Sequence, residues 1–145
     1  MTDYVTFTVA NQLFGLPIEH IQDVFTVASI TRVPLASPEV AGMLNLRGRI
    51  VTVIDLAVRL QLKPAGQAIG RLAIGIEAGG ESFGILVDGI AEVLTLSDSE
   101  REPPPVNLDH GLAFASTGVF WLDHELLVVL DSNRILDLRG RAAAA

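Results

Sequence analysis

The sequence is 145 residues long, 50% hydrophobic and 19% charged, with a formal net charge of −7, no cysteine and Lys63 as its only lysine. This composition excludes a disordered chain and any disulfide or thiol chemistry, and the acidic balance disfavours nucleic acid, because phosphate binding draws on clustered Lys and Arg. No apolar run approaches the roughly 18 residues of a membrane span, and the N-terminus has no basic stretch leading into an apolar core, so a cytoplasmic protein without membrane insertion is expected.

Tyr4 to Val9 alternates polar and apolar residues, the period of a half-buried strand, and Asn11 marks a turn into a second strand at Leu13 to Leu16. Pro17 opens a short helical turn over Ile18 to Ile21, and the β-branched run Val24 to Ile30 predicts a strand. Ser37-Pro38-Glu39 has the order of an N-cap, a first-position proline and an acid, which predicts one turn of helix before Gly42. Met43 to Leu46 and Arg49 to Ile54 predict strands joined by a two-residue Arg47-Gly48 tip, and Asp55 caps a short helix through Leu60. Lys63 to Gly70, with Pro64, Gly66 and Gly70, reads as a linker.

The second half follows the same plan. Strands are predicted at Leu72 to Glu77, Ser82 to Val87, Ile90 to Leu96, Ala113 to Leu122 and Glu125 to Leu130, with Trp121 in the core. Asp131-Ser132-Asn133 caps a last helix through Leu138, and residues 139–145 are expected to be a disordered tail.

The similarity of the halves extends to residues. Phe14 to Val24 recurs as Phe83 to Val93, a shift of 69 that sets Glu19 against Asp88 and Asp23 against Glu92. Leu46 to Asp55 recurs as Leu122 to Asp131 with a shift of 76, so seven extra residues lie between the second pair of blocks, around Pro103 to Pro105. Halves of about 60 to 70 residues are marginal alone. The unit is therefore expected to be one domain, 4–138, whose halves, about 4–62 and 71–138, pack on each other. Many short strands with Gly-containing turns and only short helices predict a mainly β fold of two small barrels side by side.

No constellation points to an enzyme. His20, His110 and His124 have no partner at metal-ligand spacing. Asp123-His124-Glu125 reads as a solvated hairpin tip, and the Glu19/Asp23 pair as a solvated face. Gly70 and Gly75 have P-loop spacing, but Ile76 stands where the lysine is needed. Neither catalytic residues nor a cofactor or metal is expected. Arg47 is the sharpest candidate for binding, because Asp123 takes its place in the other half, so the fold does not require a cation there. A guanidinium on a tight tip suits bidentate bonds to a partner's carboxylate or carbonyl groups, or is simply solvated.

The run from Val33 to Leu56, with Asn45-Leu46-Arg47-Gly48 followed by an apolar strand and Asp55-Leu56, strongly resembles the CheW family of bacterial chemotaxis coupling proteins. Phe14-Gly15 through Val24 and Val87-Asp88-Gly89-Ile90 through Leu94 match as well, and the resemblance spans about Tyr4 to Leu138. It implies two SH3-like five-stranded β-barrels around a shared apolar core. It also implies a non-enzymatic adaptor joining the cytoplasmic tips of transmembrane chemoreceptors to the regulatory domain of the histidine kinase CheA, and recruitment to membrane-associated receptor arrays. The positions matching receptor contacts are Ile21, Asp23, Arg47, Leu72 and Val93. Thr52 and Ala57 depart from a frequent proline and a frequent arginine. The competing expectation is a small barrel that binds another peptide, an oligonucleotide or a small ligand.

Overall fold

The computed structural model describes residues 1–63 and 66–137. Among them are the strands β1 (Thr2–Val9), β2 (Gln12–Pro17), β3 (Ile21–Thr26), β4 (Val40–Leu46), β5 (Arg49–Asp55), β6 (Leu72–Ala78), β7 (Glu81–Val87), β8 (Gly89–Leu96), β9 (Ser116–Trp121) and β10 (Leu126–Leu130). They form two five-stranded sheets, ordered β8-β1-β2-β10-β9 and β3-β6-β7-β5-β4. Short helices follow β5 (α1, Leu56–Arg59), precede β9 (α2, His110–Ala115) and follow β10 (α3, Ser132–Leu136).

The two sheet orders are one order. Exchanging β1 with β6, β2 with β7, β3 with β8, β4 with β9 and β5 with β10 converts the first into the second. Registers agree too. Phe7 lies opposite Phe14 as Ile76 lies opposite Phe83, and Gly42 opposite Val53 as Gly118 lies opposite Val129. In each sheet the segment after one edge strand bridges the other edge, Thr31 to Met43 and Glu102 to Val119, which closes the sheet towards a barrel. Each barrel takes strands from both halves of the sequence repeat, so neither half makes a barrel by itself.

Burial follows from strands that are covered on both faces. Phe7, Phe14, Ile74, Ile76, Ile85 and Val128 belong to a core shared by the two sheets. Tyr4, Leu13, Phe120, Leu127 and Val129 fill the first barrel, and Phe25, Val27, Val51, Val53, Ala73 and Leu86 fill the second. Ile74 and Ile76 of β6 face the shared core while Ala73 between them faces the barrel interior, the period-two alternation of a strand with two apolar sides. Ala57 is 1% exposed within the shared core, so the small side chain there is a packing requirement. The outward-turning Arg59 donates instead to the carbonyls of Arg134, Ile135 and Asp137.

Several predicted elements change. The strand expected over Val24 to Ile30 runs from Ile21 to Thr26, because its partner β6 begins at Leu72, opposite Thr26. Ser37-Pro38-Glu39 makes turns and no helix. The Glu39 carbonyl accepts from Asp55 N–H at 2.8 Å, which draws the chain into pairing with β5. The strand expected from Ala113 begins only at Ser116, after α2, whose Leu112 and Ala115 share one helical face on the shared core. Trp121 is 61% exposed and lies outside the core. Both predicted aspartate caps form: Asp55 Oδ1 accepts from Ala57 and Val58 N–H, and Asp131 Oδ1 from Asn133 and Arg134 N–H. Pro64 of the linker and the tail expected at 139–145 lie outside the described residues.

Candidate functional site

The Asn45-Leu46-Arg47-Gly48 run has a local physical logic. Leu46 pairs with Arg49, leaving Arg47 and Gly48 as a two-residue loop with φ of 53° and 83°, the left-handed values of a type I′ turn. Gly48 N–H donates to Asn45 Oδ1 at 2.8 Å, which ties the tip to the strand that precedes it. Leu46 packs against the second barrel's interior. Arg47 is thereby held on a short, braced hairpin, exposed, and its guanidinium has no hydrogen-bond or ion-pair partner among the described residues.

The same hairpin reaches Asp23. Arg49 Nη2 lies 3.2 Å from Asp23 Oδ2, so β3 and the β4–β5 tip meet at one end of the second barrel. The other Asp23 oxygen is buried without a hydrogen-bond partner and lies against Gly75, the residue opposite it on β6. Of the predicted positions, Asp23 and Arg47 are therefore linked through Arg49. Ile21 and Leu72 are half-buried against the shared core and stand at opposite ends of the β3–β6 ladder, Ile21 opposite Ile76 and Leu72 opposite Thr26. Val93 belongs to the other barrel, on its edge strand β8, and is 55% exposed.

The structure adds residues that the sequence reading passed over. Val24 is the repeat partner of Val93, lies on the matching edge strand β3, and is 45% exposed. Ile18, in the turn before β3, and Ile90, within β8, are exposed apolar residues as well. The shift of 69 already set Val24 against Val93 and could have flagged it. Arg49 was missed because its partner, 26 residues away, is visible only once β3 and β5 share a sheet.

Elsewhere the chemistry is sparse. Among the described residues no three His, Asp or Glu side chains converge to hold a metal ion. Tyr4 is 2% exposed, and the pKa of its hydroxyl is raised, first by burial and then by the nearby Asp98 carboxylate. Its ring belongs to the cluster that fills the first barrel, and its hydroxyl donates to Asp98. No described helix is long and apolar enough to cross a membrane.

The fold and its surface define a class: a duplicated double barrel with exposed apolar residues on its edge strands and a braced arginine tip. A family model described as CheW-like domain matches residues 3–140, and the chain belongs to that family. It is 27% identical to the chemotaxis protein CheW of Rhizobium meliloti over 143 residues, covering 98% of this chain and 92% of that protein. It is 28% identical to CheW of Klebsiella aerogenes over 137 residues, covering 92% and 81%. The crystal structure of the scaffolding protein TtCheW from Thermoanaerobacter tengcongensis matches with a TM-score of 0.85 at 29% identity, over 96% of this chain and 90% of that one. That neighbour agrees with the SH3-like double barrel expected from the resemblance.

Proposed function

We propose that this protein is a non-enzymatic adaptor that couples the cytoplasmic tips of chemoreceptors to the histidine kinase CheA. Its relatives' names, chemotaxis protein and scaffolding protein, support the reading. The observation that carries it is Arg47: a left-handed arginine costs backbone energy, and the fold invests in bracing it with Asn45 while giving it nothing to bind. A receptor-tip helix would supply the carboxylate or carbonyl groups. Asp23, positioned by Arg49, would add a polar contact, with Ile21, Leu72 and Val93 as apolar ones.

The kinase would bind through its regulatory domain, barrel against barrel, leaving the receptor contacts free. Signalling then requires only that binding differ between receptor states, since a ligand shifts an equilibrium by its differential affinity. The protein would work in the cytoplasm, recruited to receptor arrays at the membrane.

The test is co-sedimentation with receptor-containing membranes and CheA, with kinase activity as readout, for the wild type and Arg47→Asp. The variant should fold normally, by circular dichroism, and bind receptor more weakly by about 1 to 3 kcal/mol, the scale of a lost charged hydrogen-bond pair. Receptor affinity unchanged in a folded variant would refute this role for Arg47.

A further inference from the structure

The first barrel carries at its own hairpin the reverse of what the second barrel shows. By the shift of 76, Trp121, Asp123 and Glu125 occupy the places of Asn45, Arg47 and Arg49, and by the shift of 69 Glu92 occupies that of Asp23. The matching registers of the two sheets make these equivalences structural. In the second barrel the acid, Asp23, receives its cation from its own hairpin at 3.2 Å. In the first barrel the corresponding partner of Glu92 is another acid.

Around this hairpin lies an open cleft of about 440 Å3. Leu13, Leu94, Leu96 and Leu122 contribute apolar lining, and Glu92, Asp123 and Glu125 are its exposed acids. Trp121 also borders it, with 61% of its surface open to solvent. No arginine or lysine lines the cleft, His124 is its one basic side chain, and the side chains of Glu92, Asp123 and Glu125 have no ion-pair or hydrogen-bond partner among the described residues, His124 included. A large aromatic face beside unpaired carboxylates is the combination that attracts an organic cation. The leucine lining calls for apolar neighbours on the same ligand, and the negative rim repels nucleic acid.

We propose that this cleft docks a basic, partly apolar peptide segment of a partner protein, with an arginine or lysine side chain over the Trp121 indole facing Glu92 and Glu125. The duplicated site names the chemistry: where one barrel satisfies its acid internally with Arg49, the other takes the cation from outside. A second copy of this chain is the less suitable donor: Arg49 of its tip is held by Asp23 and Leu46 packs into its own barrel, so the exposed Arg47 would arrive without the apolar neighbours that the leucine lining calls for. The site lies on the other barrel from Asp23 and Arg47; the proposed receptor contact Val93 lies between its lining residues Glu92 and Leu94, on the opposite face of β8 by strand alternation.

Trp121 is the only tryptophan, so its emission reports the cleft directly. The full chain is titrated with a short peptide alternating arginine and leucine, and with the same peptide carrying neutral citrulline for arginine. A saturable change in Trp121 emission is expected with the arginine peptide. Affinity should be weaker by about tenfold or more for the citrulline peptide, and for the arginine peptide against E92Q/E125Q. Calorimetry should show a comparable loss for Trp121→Ala, with circular dichroism confirming that each variant is folded. Equal affinities for the two peptides, equal affinities for wild type and E92Q/E125Q, or no saturable binding would overturn the proposal. Emission that depends on protein concentration without peptide, and loses that dependence in Arg47→Ala/Arg49→Ala, would assign the cleft to a second copy and overturn it as well.

Discussion

Asp23 lies with one carboxylate oxygen 3.2 Å from Arg49 Nη2 and the other against Gly75, its neighbour across the β3–β6 ladder. A Cβ at position 75 would occupy the place of that second oxygen. The orientation of an exposed-end ion pair is thus set by a glycine on another strand. Gly75→Ala should fold with stability within about 1 kcal/mol of wild type, because the obstacle is the mobile end of a side chain and alanine suits a strand at least as well as glycine. The carboxylate should swing away from Arg49, and affinity for a receptor-tip fragment should fall about as far as in Asp23→Ala. Denaturant midpoints and binding isotherms measured together check this, and wild-type affinity in Gly75→Ala would show that the pair's geometry does not matter to the receptor.

Arg47 gives a prediction in which stability and binding part company. Its φ of 53° costs an ordinary residue about 1 to 2 kcal/mol, and glycine has no such penalty but loses more chain entropy on folding. Arg47→Gly should therefore leave stability unchanged or raise it by up to about 1 kcal/mol. Receptor binding should nevertheless weaken, as in Arg47→Asp. A marked fall in the denaturation midpoint of Arg47→Gly would mean that the arginine serves the fold.

The repeat made the duplicated strands legible because like side chains recur where each strand needs the same burial. It could not tell which strands trade places. β8 completes the sheet that begins with β1, and β3 the sheet of β6, an exchange fixed by long-range pairing that leaves both local patterns intact. Trp121 was misplaced for a simpler reason. Phe120 is 2% exposed and Leu122 is half-buried, so the alternation of β9 sends the residue between them outward. The run Ala113-Phe114-Ala115 is apolar enough for strand or helix, and packing of Leu112 and Ala115 on the shared core decides for α2. Of the binding positions, Arg47 stood out through its asymmetry with Asp123, and Val24 was legible through its repeat partner Val93, whereas Arg49 gained meaning only from its cross-strand neighbour Asp23.

Arg71 ties three turns together. Its Nη2 lies 3.1 Å from Asp88 Oδ1 and its Nη1 3.8 Å from Asp55 Oδ2, while Asp88 Oδ2 accepts from Ala10 N–H at 2.8 Å. The contacts run from the end of β5 through the β7–β8 turn to the β1–β2 turn, and so from one sheet to the other. The arginine side chain is 12% exposed, and removing it leaves Asp55, 12% exposed, and Asp88, 32% exposed, without their cation. Arg71→Met should cost about 2 to 3 kcal/mol. Asp88→Asn should cost less in that background than in wild type, with a coupling of at least ~0.5 kcal/mol in the double-mutant cycle. Simple additivity in urea denaturation would show that the pair does not act as a clamp.

Tyr4 is the only tyrosine, and burial, reinforced by Asp98, holds its pKa above the ordinary value of about 10. Its hydroxyl donates to Asp98 Oδ1 at 3.3 Å, and the ring packs on Phe120 with centroids 5.5 Å apart. In the unfolded chain the phenol loses its proton first, so the unfolded state binds fewer protons than the folded one as the pH rises through that range. The Tyr4 contribution to stability is therefore complete below about pH 10 and is lost as the pH climbs through the raised folded value. Urea midpoints of the wild type should fall more steeply between about pH 9 and 11 than those of Tyr4→Phe, which keeps the ring contact and lacks the ionising group. The tyrosinate absorbance of the folded protein should appear at higher pH than that of the urea-unfolded chain. Superimposable titrations in the folded and unfolded states, or equal pH slopes for the two proteins, would remove Tyr4 as the source of the alkaline loss.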